Sequence, residues 1–274
     1  EDKAEEISRL SAQNARIVAD EYSTEDRPRF VIGSMGPTTK AISVTGGISW
    51  DDLAENYRVQ ARGLITGGVD VLLLETSQDT LNVKAGIEGI DRAFIDTGIE
   101  IPVSIQCTIE TMGTMLGGQD IESFYTSIAH RDLLWVGFNC ATGPEFMRDH
   151  VRTLASISRF PVAVIPNAGL PDEDGNYHET PEKMAQILSS FISEGWINII
   201  GGCCGTSVRH IDQMCSIATA NKPRTIVYQT ESKISGLETV VINDDSRPIL
   251  IGERTNVLGS RRFKRLIAED KIEE

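Results

Sequence analysis

The segment Val69-Asp70-Val71-Leu72-Leu73-Leu74-Glu75 is an almost continuous apolar run between two stretches with helical spacing. The preceding helix is predicted from Trp50 to Thr66, with Ser49 as its N-cap and Gly67-Gly68 as its stop. The following helix is predicted from about Leu81 to Asp96. A continuous apolar strand between two helices is typical of a parallel sheet whose two faces are both covered.

The same strand–helix unit recurs along the chain. Further strands are predicted at Phe30–Pro37, Ile101–Cys107, Leu134–Cys140, Val162–Asn167 and Ile197–Gly201. Further helices are predicted at Glu5–Tyr22, Ile121–Ala129, Pro144–Ser158, Pro181–Glu194 and Val208 to about Ala220. A series of such βα units forms either an open doubly wound sheet or an eight-stranded TIM-type (β/α)8 barrel. No glycine-rich nucleotide fingerprint follows a strand, so the barrel is favoured.

The leading helix implies at least one strand before it, and six strands of an eight-stranded barrel are visible. We therefore expect a fragment that lacks the first two strands, with the barrel at 1–220 and an interdomain linker at 221–246. Within the linker, Thr225–Thr230 and Glu238–Val241 are short β-like stretches. Residues 247–274 resemble the truncated start of a second barrel, with a strand and loop at Arg247–Asn256 and a helix at Arg261–Ile267.

Composition and charge exclude several classes of protein. The 274-residue chain carries 26 Lys and Arg against 40 Asp and Glu, a net charge of −14, whereas nucleic-acid binding needs clustered cations. No apolar run approaches the roughly 20 residues of a membrane helix, and no signal pattern opens the chain. Five cysteines, an odd number with two adjacent, do not indicate a disulfide framework. We expect a cytoplasmic protein that binds neither nucleic acid nor membranes.

Three of the cysteines stand where strands end. Cys140 ends one predicted strand, and Cys203 and Cys204 follow another in a loop flanked by glycines. The carboxyl ends of parallel strands meet at one rim, so these sulfurs can approach a common ion. Three thiolates indicate zinc with one open coordination position. Apolar packing is the alternative, which we expect for Cys215. If Cys107 also bound the ion, the site would be a closed, structural one.

Two segments, Gly137-Phe138-Asn139-Cys140 and Gly201-Gly202-Cys203-Cys204-Gly205-Thr206, resemble the zinc signature of the homocysteine S-methyltransferase family. Leu72–Thr76 and Ile32–Pro37 are similar to strands of that family, and the resemblance covers residues 1 to about 220. It implies an eight-stranded βα barrel that binds zinc and transfers a methyl group to homocysteine. The acidic segment of the family's first strand has no counterpart in this sequence.

The resemblance also implies roles for three polar residues. Glu75 would hold the ammonium group of homocysteine, unless it is a rim carboxylate paired with a surface cation. Asn139 would donate to the substrate or have a structural role, and Ser34 would meet the substrate carboxylate. Because the metal removes the thiol proton, we expect no catalytic base, and hence no catalytic role for the four histidines, His130, His150, His178 and His210.

A motif near the C-terminal end of the sequence suggests the methyl donor. Ile251-Gly252-Glu253-Arg254-Thr255-Asn256 resembles the start of the methyltetrahydrofolate-binding barrel that follows this module in cobalamin-dependent members of the family. The resemblance implies methylcobalamin as the donor, regenerated from methyltetrahydrofolate, with the cobalamin-binding and folate-binding modules of the same polypeptide as partners. Two alternatives stay open: a methyltransferase that uses S-methylmethionine or a related donor, and a non-catalytic domain stabilised by zinc.

Overall fold

The computed structural model describes residues 3–228, 231–250, 252 and 256–271, which belong to two compact units, Glu1–Val240 and Val241–Glu274. The first unit contains a parallel sheet of six strands: β1 (Ile32–Met35), β2 (Val71–Ser77), β3 (Val103–Cys107), β4 (Val136–Asn139), β5 (Val162–Ile165) and β6 (Ile199–Ile200). Its helices are α1 (Ala4–Tyr22), α2 (Trp50–Gly67), α3 (Thr80–Thr97), α4 (Ile121–Ile128), α5 (Pro144–Ile157), α6 (Pro181–Ser193) and α7 (Val208–Thr219). No helix of the described residues is both long and apolar enough to span a membrane.

The strands pair in sequence order, β1 to β6, and every pair is parallel. A helix connects each strand to the next, so the sheet is a curled half-barrel of the TIM type, as the repeat predicts. The pairing of β2 with β3 slips once, because Leu74 pairs with Ile105 but Ser77 pairs with Cys107. This bulge lies at Glu75 and Thr76, where a bulge re-aims side chains at the end of the strand.

Alternate residues of the strands face two separate apolar clusters. Leu72 and Leu74 of β2 belong to the large cluster between sheet and helices, where a fully buried leucine contributes about 1.5–3 kcal/mol. Val71 and Leu73 belong to a smaller cluster on the concave face, together with Trp135. Glu75 follows Val71 and Leu73 at the same spacing of two residues, and its side chain therefore faces the concave side of the half-barrel.

Local signals set the helix ends close to the predicted positions. The Ser49 hydroxyl accepts a hydrogen bond from the N–H of Asp52 at 3.1 Å, which caps α2. Gly68 ends the same helix in the left-handed conformation, at φ 92°. The start and stop of α2 are therefore fixed by the residues that the sequence pattern indicates.

A two-stranded sheet follows, formed by β7 (Ser232–Ser235) and β8 (Thr239–Ile242). The carbonyl of Leu237 accepts from the N–H of Asp120 at 3.1 Å, which ties the turn of this hairpin to the start of α4. The second β-like stretch is thus confirmed. The prediction at Thr225–Thr230 is wrong for residues 225–228, which form no strand; residues 229 and 230 lie outside the described residues. An apolar run becomes a strand only where a partner backbone pairs with it.

The second unit contains α8 (Arg261–Ala268), at the predicted place, capped by the Ser260 hydroxyl, which accepts from the N–H of Phe263 at 3.2 Å. A strand and loop are predicted at Arg247–Asn256, but residues 247–250, 252 and 256 are irregular, so no strand forms among them. Residues 251 and 253–255 lie outside the described residues. Pro248 lacks an N–H for pairing. The described residues do not show the start of a second barrel, and the boundaries at 220 and 246 stay predictions.

Candidate metal centre

The three cysteines singled out in the sequence lie together beyond the carboxyl ends of β4 and β6. Their sulfur atoms are all within 4.8 Å of one another. The Cys140 and Cys204 sulfurs are 3.7 Å apart, and those of Cys203 and Cys204 are 3.9 Å apart. The half-barrel topology therefore brings sulfurs from two distant segments to one point, as the sequence predicts.

These spacings fit a shared zinc ion. Two sulfurs that are each about 2.3 Å from zinc in a tetrahedral site are about 3.8 Å apart, whereas sulfurs in a disulfide are about 2.05 Å apart. The separations of 3.7 and 3.9 Å match the first case, and the cysteines are free thiols. Cys140, Cys203 and Cys204 can thus hold zinc and leave one tetrahedral position open.

The other two cysteines lie apart from this cluster. Cys107 is fully buried in the main core, where burial raises the pKa of its thiol, and it is not among the three clustered sulfurs. Cys215 is exposed on α7, so the expectation that it packs as an apolar residue is wrong. The buried residues of α7 are His210 and Met214, and Cys215 lies next to that stripe rather than in it.

Hydrogen bonds with the end of β5 and the residues just after it fix the positions of the cysteines. The N–H of Cys140 donates to the Ile165 carbonyl at 3.2 Å, and that of Cys203 donates to the Pro166 carbonyl at 2.8 Å. The Cys204 N–H donates to the Asn167 side-chain oxygen at 3.1 Å. Cys140 has a φ of 61°, a left-handed conformation that costs a non-glycine residue on the order of 1–3 kcal/mol. Such strain is typical of functional sites.

The clustered thiols perturb one another. A hydrogen bond with Cys203 is the main cause that lowers the pKa of Cys140 to about 5, while burial opposes this shift. The pKa of Cys203 is raised, first through its hydrogen bond with Cys140 and then by burial. One thiolate therefore forms readily and its negative charge opposes the next, so a cation is needed to hold all three thiolates together.

Glu75, Asn139 and Ser34 form a polar group beside the sulfurs. The Asn139 amide nitrogen is 3.2 Å from the Glu75 carboxylate and 4.0 Å from the Cys203 sulfur. The Ser34 hydroxyl donates a hydrogen bond to the other Glu75 oxygen. The structure thus brings all three predicted substrate-binding residues close to the three sulfurs, with Asn139 between the carboxylate and the cysteines.

Asn139 also fixes the backbone at Thr76. Its side-chain oxygen accepts from the Thr76 N–H at 2.7 Å, and its amide nitrogen donates to the Thr76 hydroxyl at 2.7 Å. Thr76 has a φ of 54°, an unusual conformation for a β-branched residue. The buried amide therefore holds the end of β2 in the shape that presents Glu75.

Glu75 is available to bind a cation. None of the ion pairs found among the described residues involves its carboxylate. A carboxylate that accepts two hydrogen bonds keeps further lone pairs for a third donor. The alternative in which Glu75 pairs with a surface cation finds no support in this part of the chain.

Two of the four histidines make structural hydrogen bonds. His210 caps α7: its Nδ1 accepts from the Ser207 N–H at 3.1 Å, and its Nε2 lies 3.0 Å from the Glu179 carbonyl oxygen. The Nε2 of His178 is 2.6 Å from a carboxylate oxygen of Asp172, in an exposed loop. Neither histidine belongs to the sulfur cluster.

Sequence reasoning missed two residues that contact the cysteine loop. Asn167, at the end of the predicted strand, binds the Cys204 N–H as described above. Tyr177 lies on the loop between β5 and α6, and its side chain packs against Gly205 of the cysteine loop. Desolvation, followed by the charge of the nearby Cys204 thiolate, raises the pKa of Tyr177. Strand-end position was a usable signal for Asn167, but nothing local in the sequence indicates how the loop places Tyr177.

Comparisons with known proteins agree with this architecture. A family model described as homocysteine S-methyltransferase matches residues 1–218. The methionine synthase of Mycobacterium tuberculosis (strain ATCC 25618 / H37Rv) is 40% identical over 276 residues; the match covers 98% of this chain but 23% of that protein. The chain thus spans less than a quarter of the length of this relative.

Two crystal structures of the homocysteine methyltransferase MmuM from Escherichia coli share the fold at 18% identity. The apo form has a TM-score of 0.61 and matches 78% of this chain and 74% of its own. The metallated form has a TM-score of 0.62 and matches 79% and 71%, respectively. With the family model spanning residues 1–218, the chain belongs to the homocysteine S-methyltransferase family.

Proposed function

We propose that this chain is the homocysteine-binding part of an enzyme that methylates the thiol of homocysteine to give methionine, with zinc held by Cys140, Cys203 and Cys204. The observation that carries the proposal is the grouping of these three sulfurs at separations of 3.7 and 3.9 Å, which suit one tetrahedral ion. The reduced thiols that such a site requires fit a cytoplasmic location.

The chemical difficulty is the supply of a nucleophile, because a free alkyl thiol has a pKa near 8.5 and is mostly protonated at neutral pH. A bound zinc ion would supply an open position at which a thiol is held deprotonated. The three cysteine sulfurs carry three negative charges against the two of the cation. This excess of negative charge would keep electron density on the bound substrate sulfur. That sulfur would therefore stay reactive as a nucleophile instead of being deactivated by the cation.

The remaining residues would bind and orient the amino acid. The Glu75 carboxylate, which has no cationic partner among the described residues, would accept the substrate ammonium group. Asn139 holds Glu75 at a fixed place relative to Cys203, so the ammonium and thiol ends of homocysteine would be located by one rigid unit. The Ser34 hydroxyl, next to Glu75, would lie close to the substrate carboxylate.

We propose methylcobalamin as the methyl donor, regenerated from methyltetrahydrofolate. The 40% identity to a methionine synthase supports this choice over S-methylmethionine. That relative is more than four times as long as the matched segment, which leaves room for cobalamin-binding and folate-binding modules as partners in one polypeptide.

The test is a transfer assay with zinc-loaded protein, homocysteine and methylcobalamin, read out as methionine formed and cob(I)alamin released. We expect transfer to depend on zinc, to be lost in Cys204→Ala and to persist in Cys215→Ala, whose cysteine is exposed on α7. Methionine formed equally well from S-methylmethionine without cobalamin would contradict the donor. No transfer from either donor, with zinc tightly bound, would favour the non-catalytic, zinc-stabilised domain.

A further inference from the structure

The peptide bond between Asn139 and Cys140 is held at both of its polar atoms by neighbouring strands. The Thr108 hydroxyl donates to the Asn139 carbonyl oxygen at 3.0 Å in buried surroundings. The Cys140 N–H donates to the Ile165 carbonyl at 3.2 Å. Thr108 directly follows β3 and Ile165 ends β5, and β4 lies between these two strands. The peptide that leads into the first cysteine is therefore fixed from both sides.

The fixed peptide accounts for the unusual backbone at Cys140. Cys140 and Ala141 have φ values of 61° and 52°, both in the left-handed region. Non-glycine residues keep this conformation only where the surrounding structure holds the chain in it. The N–H of Thr142 donates to the Cys140 carbonyl at 2.7 Å and so holds the peptide that follows. A change of φ at Cys140 would rotate its side chain relative to the fixed peptide and move its sulfur away from that of Cys204, which lies at 3.7 Å.

Thr108 is a rigid source of this hydrogen bond. Its side chain is buried, and its N–H donates to the Ser77 carbonyl at 3.0 Å. A threonine side chain has few χ1 rotamers because its Cβ is branched. The ladder between β3 and β4 ends at the pair of Cys107 and Phe138, so the hydroxyl supplies the hydrogen bond that the backbone of β3 no longer provides to Asn139. Loss of the hydroxyl alone would leave the buried Asn139 carbonyl without this donor.

We propose that Thr108 is a positioning residue of the metal centre: its hydroxyl, through the Asn139 carbonyl, keeps Cys140 in the left-handed conformation that brings its sulfur to the other two. This inference rests on the proposed zinc site. Thr108 itself does not touch the ion and acts through the backbone of a ligand. A partner that orients a metal ligand typically changes metal affinity 10–100-fold.

The test measures metal binding by the full chain. Thr108→Val removes the hydroxyl and keeps the branched shape, whereas Thr108→Ser keeps the hydroxyl. In Thr108→Val we expect the affinity for Zn²⁺, measured by chelator competition, to fall about tenfold or more. The thiolate-to-Co²⁺ charge-transfer absorption scales with the number of Co–S bonds, so at saturating Co²⁺ it should fall by about a third as one of the three sulfurs is lost. Thr108→Ser is expected to restore both quantities to near the wild-type values.

Ser127→Ala is the matched control. It removes one buried hydroxyl-to-carbonyl hydrogen bond, from Ser127 to Phe124 at 2.7 Å within α4. Urea denaturation should show a lower stability, with metal affinity and absorption unchanged. If Thr108→Val behaves like Ser127→Ala and loses stability alone, the role of Thr108 is purely structural and the inference is overturned. A Thr108→Ser variant that loses metal as Thr108→Val does would equally contradict a role of the hydroxyl.

The outcomes separate this inference from the proposed function. If the wild-type chain gives no thiolate charge-transfer absorption with Co²⁺, the zinc site itself is wrong, and the role of Thr108 is overturned with it. If the wild type gives the absorption and Thr108→Val matches it in intensity and in Zn²⁺ affinity, the role of Thr108 alone is overturned. Should Thr108→Val fold poorly, Thr108→Ala, which leaves no branched side chain against the Asn139 carbonyl, is expected to show the same losses, and wild-type values there are contradictory.

Discussion

Replacing Asn139 by alanine should both destabilise the fold and impair the site. The side chain makes two hydrogen bonds with Thr76 at 2.7 Å each and one with the Glu75 carboxylate at 3.2 Å. The two bonds with Thr76 are worth about 1 kcal/mol each, and the charge-assisted one about 1.5–2 kcal/mol. We therefore expect Asn139→Ala to lower the free energy of unfolding by about 3.5–4 kcal/mol, because all three hydrogen bonds are lost together.

Asn198 offers a matched control for this variant. Its side chain makes two hydrogen bonds, to the Val162 N–H at 2.9 Å and to the Arg224 carbonyl at 2.8 Å, away from the sulfurs. Urea denaturation should give a loss of about 2 kcal/mol for Asn198→Ala, and calorimetry of the zinc-loaded protein should show weaker homocysteine binding for Asn139→Ala alone. A loss below 1 kcal/mol in Asn139→Ala, or equal effects of the two variants on homocysteine binding, would refute the reasoning.

Three further predictions concern single side chains. Glu75→Gln should weaken homocysteine binding by about tenfold or more, which corresponds to about 1.4 kcal/mol, while elemental analysis should show the same zinc content. An unchanged affinity for homocysteine would argue against a contact between Glu75 and the ammonium group. Cys107→Ala should keep one zinc per chain, whereas Cys204→Ala should lose it; loss in both would place Cys107 at the metal. Arg224→Ala should lower the free energy of unfolding by about 3–5 kcal/mol, because the buried guanidinium donates hydrogen bonds to carbonyls at the end of α5. Arg152 is exposed, so Arg152→Ala should change the free energy of unfolding by less than about 0.5 kcal/mol.

The helices and strands of the half-barrel were predictable because their apolar periodicity agrees with their caps. Predicted helix ends such as Thr66 and Ser158 fall within one residue of the observed ones. Strand ends were predicted less well: the run Ile197–Gly201 gives a strand of two residues, Ile199–Ile200. Strand limits depend on pairing with a neighbouring backbone, and sequence periodicity does not contain that information.

The grouping of the three sulfurs in the candidate metal centre could be predicted from the sequence, whereas most of their surroundings could not. Cys140, Cys203 and Cys204 could be grouped because parallel strands deliver their carboxyl ends to one rim. The left-handed conformation of Thr76 and the placement of Tyr177 could not be predicted, because both are set by tertiary hydrogen bonds and loop packing. The sequence left open whether Asn139 binds the substrate or has a structural role, and its contacts with Thr76, Glu75 and Cys203 are compatible with both.

X-ray absorption at the zinc edge tests the central claim most directly, because it counts the sulfur atoms around the ion. With zinc alone, Cys140, Cys203 and Cys204 should give three sulfurs and one lighter atom, and the addition of homocysteine should change this count to four sulfurs. Four sulfurs before homocysteine is added, or a count of three that homocysteine leaves unchanged, would contradict the proposed binding of the substrate thiol at this centre.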